Sequence, residues 1–98
     1  MNMLGTIIRD NRKSKGLLLR HLASELDIDV AVLSKIERGE RIPSKIQIKN
    51  IAEALKMDEN YLNERLVIDK ILIDLSEFEN QLEIINKVKI ELNKKSKR

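Results

Sequence analysis

Few side chains in this sequence offer covalent chemistry. His21 is the only histidine and there is no cysteine, so neither a zinc site built on His and Cys nor a thiol–imidazole pair can be assembled. Glu77, Glu79 and Glu83 stand where helix caps and i,i+4 ion pairs account for them, and no glycine-rich phosphate loop occurs. An enzyme is not expected, nor a cofactor, nor a metal. What remains is non-covalent chemistry. Ala31, Ser34, Lys35 and Arg38 bring small and cationic side chains together in a short stretch, a set that can lie close against a polar, anionic surface and donate hydrogen bonds to it.

A helix is needed to line those residues up. Setting Val30 at 0° and advancing about 100° per residue puts Leu33 and Ile36 near 300° and 240°. The buried side then centres near 270°, and Ala31, Ser34, Lys35 and Arg38 share the opposite face. Upstream, Leu19, Leu22, Ala23 and Leu26 recur at the three and four residue spacing of another amphipathic helix. Between them, Asp27-Ile28-Asp29 is turn chemistry, with Asp29 expected to cap the second helix through its carboxylate. Gly39 follows as a residue that can take positive φ and close that helix. Ala23 is small enough to allow the close helix crossing of a helix-turn-helix.

Taken together, KGLLLRHLA and LSKIERGER resemble the Cro/C1-type (XRE) helix-turn-helix family of phage and bacterial repressors, over roughly residues 3–65. The pattern L-A-x-x-L, then I-x-x-x-x-L-S-K-I-E-R-G, then I-A-x-x-L carries the resemblance. It implies an all-α chain: a five-helix lambda-repressor-like DNA-binding domain with a C-terminal helical extension for dimerisation. It also implies that Asp29, Val30, Ala31 and Lys35 face base edges and that Ser34, Arg38 and Arg41 lie near phosphates. Val30 and Ala31 would meet thymine methyls, Lys35 would donate to guanine O6 or N7, and Asp29 would accept from cytosine. Arg12 and Glu37 match a pair that ties the recognition helix to the first helix. Leu18-Leu19 replaces the family's usual Ser-Gln, which removes one phosphate contact; Arg20 or His21 is the candidate substitute. Asp27 stands where the family often has glycine in the turn.

The flanking sequence fits a small helical domain. Leu4, Ile7, Ile8 and Asn11 mark one side of a first helix ending near Lys15-Gly16, on which Arg9 and Lys13 read as solvated charges, with phosphate contact as the alternative. Pro43 discourages helix at Ile42. Ser44 and Gln47 have capping-box spacing, opening a helix with Ile48, Ile51, Ala52 and Leu55 on one face. In a fold of this family the start of that helix nears the DNA backbone, so its N-terminus and Lys45 can share one phosphate. Asp58 caps a further helix carrying Leu62 and Leu66, with Tyr61 expected in the core. Aromatic residues make up 2% of the chain, too few for the stacking platforms of single-strand or RNA binders. Duplex DNA is the expected polyanion.

Residues 1–66 are thus read as the DNA-binding domain and 67–98 as the extension. From Val67 to Leu75 apolar residues are too many for one helical stripe, implying a partner surface. Ser76-Glu77-Phe78-Glu79 reads as a capping box for a last helix from Glu77 to about Asn93, ahead of a basic tail through Arg98. Ile71, Leu75, Phe78, Leu82, Ile85 and Leu92 are the expected dimer contacts. The 98 residues include 19 Lys and Arg against 16 Asp and Glu, a formal charge of +3, which permits a polyanionic partner without demanding one. Without cysteine, a signal-peptide core or a membrane-length apolar run, a cytoplasmic protein is expected. The reading is a sequence-specific transcriptional regulator, a homodimer on a two-fold operator that controls its own operon, as in restriction-modification controllers or phage repressors. The alternative is an antitoxin or protein-interaction module whose C-terminal helices bind a protein partner.

Overall fold

Turn chemistry punctuates this chain more sharply than composition does. The computed structural model describes residues 3–96, and among these it forms six α-helices and no strand: α1 Met3–Ser14, α2 Leu19–Leu26, α3 Val30–Glu37, α4 Lys45–Leu55, α5 Glu59–Leu75 and α6 Gln81–Ser96. Helices α1 to α4 close alike. An N–H reaches back to the carbonyl five residues earlier: Leu17 to Arg12 (3.1 Å), Ile28 to Ala23 (3.0 Å), Glu40 to Lys35 (2.9 Å) and Met57 to Ala52 (2.8 Å). That closure needs left-handed backbone just past the helix. Gly16 and Gly39 supply it with φ of 70° and 76°, whereas Asp27 and Lys56 adopt it at 54° and 55° with a side chain attached.

At the helix starts, Ser44 and Gln47 form the expected box. Ser44 Oγ accepts from Gln47 N (3.2 Å) and Gln47 Oε1 accepts from Ser44 N (2.9 Å). Asp58 Oδ1 likewise accepts from Asn60 N (2.9 Å). Asp29 departs from expectation: it occupies the N-cap position with extended backbone, but its side chain makes no cap hydrogen bond.

One core is shared by five helices. Leu4 and Ile8 of α1, Leu22 of α2, Leu33 and Ile36 of α3, Ile48, Ile51 and Leu55 of α4, and Leu62 and Leu66 of α5 are all buried in it. At about 1.5–3 kcal/mol per fully buried Leu or Ile, this cluster is the main stabilising contribution. Helix α1 reaches α3 so closely that a methyl group on Gly5 would overlap the carbonyl oxygens of Ile36 and Glu37. Tyr61 is not in this core. Leu62, Leu66 and Asp69 set the inward face of α5 at i, i+4 and i+7, which rotates Tyr61 about 100° away, and it is half exposed.

Helix α5 runs past the core without a break. Asp69, almost fully buried, accepts from the Leu4 N–H through Oδ2 (2.8 Å) and from Arg65 Nε and Nη2 through Oδ1 (3.0 and 2.9 Å). A carboxylate from α5 thereby caps the start of α1, where free N–H groups and the helix dipole favour negative charge. Beyond it the helix ends at Leu75, and the expected capping box does not form. Ser76 Oγ donates to Ile73 O (2.6 Å), closing α5 instead of opening α6. The Phe78 N–H (2.9 Å) and Gln81 Nε2 (3.0 Å) both donate to Leu75 O. The last helix accordingly starts four residues late, at Gln81, and extends to Ser96. Lys97 and Arg98 of the basic tail lie outside the described residues.

Candidate nucleic-acid interface

Burial of Leu33 and Ile36 fixes which way α3 faces. Its outer side carries Ala31, Lys35 and Arg38 exposed, Ser34 half buried, and Val30 with 41% of its surface open at the N-terminal end. Asp29, its carboxylate not engaged in capping, is exposed beside Val30. The residues read from the sequence as base-facing are therefore all exposed, at or just before the start and in the middle of α3.

What holds α3 in place is ionic as well as apolar. Arg12 of α1 meets Glu37 in a two-bond pair, Nε to Oε2 at 2.8 Å and Nη2 to Oε1 at 3.0 Å, while Nη1 donates to Leu17 O at 2.7 Å. Both side chains are under 10% exposed. The hydrogen bond to Glu37 raises the Arg12 pKa above its ordinary value, against the opposing effect of burial. One guanidinium thus joins α1, the end of α3 and the loop entering α2, with the fork geometry that suits Arg and not Lys.

The cations expected near phosphate are distributed around this helix. Arg20 is exposed in the first turn of α2, Arg41 in the loop after α3, and Lys45 at the first position of α4, next to the Ser44 cap. Arg38 is ion-paired to Glu40 (2.8 Å), but both side chains are 55% exposed, where such a pair contributes little and yields readily to a stronger anion. His21 Nδ1 accepts from the Leu18 N–H at a long 3.4 Å, a local helix-start contact. Arg9 and Lys13 were read from the sequence as solvated charges. They line one cleft with Arg12, Leu19, Ser34, Glu37 and Arg38. The signal lay in their spacing: residues 9, 12 and 13 share a helix face, so a structural Arg12 carries its two neighbours toward α3.

Among the described residues, no group of three or more His, Cys, Asp or Glu is placed to hold a metal, and no helix is long and apolar enough to cross a membrane. The expected dimer residues divide. Ile71, Phe78, Leu82, Ile85 and Leu92 are exposed, from 38% at Ile85 to 85% at Leu82, whereas Leu75 is buried within the chain itself.

The chain is similar to known helix-turn-helix proteins. The sequence profile of the helix-turn-helix family matches residues 8–62, from the second half of α1 to the start of α5. The chain is 40% identical over 58 residues to the uncharacterized HTH-type transcriptional regulator YazB of Bacillus subtilis (strain 168), covering 59% of this chain and 84% of that protein. It is 37% identical over 59 residues to the ImmF control region 10 kDa protein of Bacillus phage phi105, covering 60% of this chain and 66% of that one. Among solved structures it is similar to the clp gene regulator ClgR from Corynebacterium glutamicum, with a TM-score of 0.61 and 26% identity over 78% of this chain and 81% of that one.

Proposed function

The chain belongs to the Cro/C1-type (XRE) helix-turn-helix family of DNA-binding transcriptional regulators, which are not enzymes, and from that premise we propose that it reads a two-fold operator as a homodimer and controls its own operon. The observation that carries the reading is the outer side of α3, on which side chains able to address base edges stand clear of the core while Arg12 and Glu37 fix the helix behind them. Asp29, Val30, Ala31 and Lys35 enter the major groove. Arg20, Ser34, Arg38, Arg41 and Lys45 contact phosphate, joined by Arg9 and Lys13 through the cleft they share with Arg38.

Residues 67–98 serve as the dimerisation extension to a five-helix DNA-binding unit. Val67, Ile68, Ile71, Leu72 and Ile73 of α5 are each 40–53% exposed, an apolar surface of the kind that marks an interaction site. A homodimer would place two α3 helices in successive major grooves, about 34 Å or about 10 bp apart. The test is size-exclusion chromatography with light scattering on the full chain, with and without the DNA upstream of its gene, at two salt concentrations. A dimer that prefers this fragment to random DNA, with affinity falling steeply as salt rises, supports the reading. Equal weak binding to all DNA, or a stoichiometric foreign protein on the C-terminal helices, would move it to the interaction-module alternative.

A further inference from the structure

Glu40 stands where stability gives it little reason to be. It lies just past the end of α3, placed there as its N–H closes the helix on Lys35 O (2.9 Å) and Gly39 takes a φ of 76°. A negative charge at that end of a helix opposes the dipole. Its carboxylate nonetheless accepts from both donors on one edge of the Arg38 guanidinium, Nε to Oε2 at 2.8 Å and Nη2 to Oε1 at a longer 3.4 Å. That two-point grip is the one a guanidinium offers to a phosphate. With both side chains 55% exposed, the pair adds little to folding. What it does is occupy Arg38.

Resting on the reading that Arg38 contacts a DNA phosphate, we propose that Glu40 is a built-in competitor for that phosphate. Its carboxylate holds the Arg38 fork in the free chain and gives it up when duplex DNA docks, so that affinity for every DNA is set lower than the cations alone would make it. The exchange is oxyanion for oxyanion: Arg38 keeps its hydrogen bonds and Glu40 returns to water. DNA wins it because a phosphate there meets more than one cation. Arg9 and Lys13 line the same cleft as Arg38 and are exposed, and among the described residues neither is paired with a carboxylate. Lys35 lies almost a full turn earlier on α3, so the competitor acts on overall affinity and leaves the choice among sequences alone.

Glu40→Gln in the full chain removes the charge and keeps the shape. Binding of this variant, of Arg38→Ala and of the double variant is measured by fluorescence anisotropy on the DNA upstream of the gene and on random duplex, at two salt concentrations. Glu40→Gln is expected to tighten binding to both DNAs by about two- to five-fold, the equilibrium worth of an exposed ion pair. The gain should shrink at the higher salt, which screens the pair that the substitution removes. In the Arg38→Ala background most of the gain is expected to vanish, because nothing is left for Glu40 to occupy. An equal gain in both backgrounds overturns the proposal, since Glu40 would then act by general repulsion of DNA, and so does the absence of any gain. Arg38→Ala judges the phosphate reading separately: if it weakens binding to both DNAs while Glu40→Gln changes nothing, only the competitor falls. If Arg38→Ala binds as the unmodified chain does, both fall.

Discussion

Arg12 and Lys35 belong to the same small domain but answer to different physics, and substitutions at the two should be told apart by what they change. Glu37→Ala would leave the Arg12 guanidinium buried beside nothing that neutralises it. Removing one member of a buried pair costs about 3–5 kcal/mol, so urea unfolding should show a loss of that order, with DNA binding lost in proportion to the unfolded fraction. Lys35→Ala, on an exposed face, should leave the unfolding curve unchanged. It should cost about 1–3 kcal/mol on the cognate operator and relax one base position. Arg38→Ala should weaken binding to specific and random DNA alike and lower the salt slope by about one. Equal losses on both DNAs for Lys35→Ala would move that side chain from base edge to phosphate.

At the scale of helices, the strained closures make the clearest case. Lys56 takes left-handed backbone at φ 55° at the end of α4, where a Cβ costs about 1–2 kcal/mol. Lys56→Gly should therefore raise stability, by about 0.5–1 kcal/mol once the freer unfolded chain is counted, read as a higher midpoint in urea. Gly5→Ala should act in the opposite direction, by about 1–3 kcal/mol, since α1 and the end of α3 must move apart to admit a methyl group. These contrasts also explain what could be read in advance. The boundaries of α1 to α4 and the inward face of each were legible because apolar spacing and turn residues agreed. The capping potential of Ser76 was legible too, but only as chemistry: Ser76 can close a helix as well as open one, and the carbonyl of Ile73 captured its hydroxyl. Asp69 gave only the local signal of its i,i+4 spacing from Arg65, because its other partner, the Leu4 N–H, is 65 residues away. That exposed Arg9 and Lys13 border the α3 cleft was legible in their spacing from Arg12, once the Arg12–Glu37 pair is placed.

For the molecule as a whole, the decisive question is where the DNA-binding unit ends, and Asp69 answers it differently from the hydrophobic pattern. The apolar core is complete at Leu66, yet the cap on the start of α1 comes from one turn further along α5. A chain cut after Leu66 keeps the core but exposes the first turn of α1 and leaves Arg65 without its carboxylate; a chain cut after Asn80 keeps all three. The shorter chain should unfold at markedly lower urea than the longer one. The single substitution Asp69→Ala in the full chain should reproduce most of the difference, about 3–5 kcal/mol for a buried, hydrogen-bonded carboxylate. The chain ending at Asn80 isolates the other contribution. It should fold, dimerise more weakly than the full chain in light scattering, and retain the salt-dependent affinity of one half-site. Without α6 it should lose the gain from joining two half-sites, about 10²- to 10⁴-fold on a full operator. If the Asn80 chain bound the full operator as tightly as the complete one, dimerisation would have to come from α5 alone. The exposed apolar residues of α6 would then be left to some other partner.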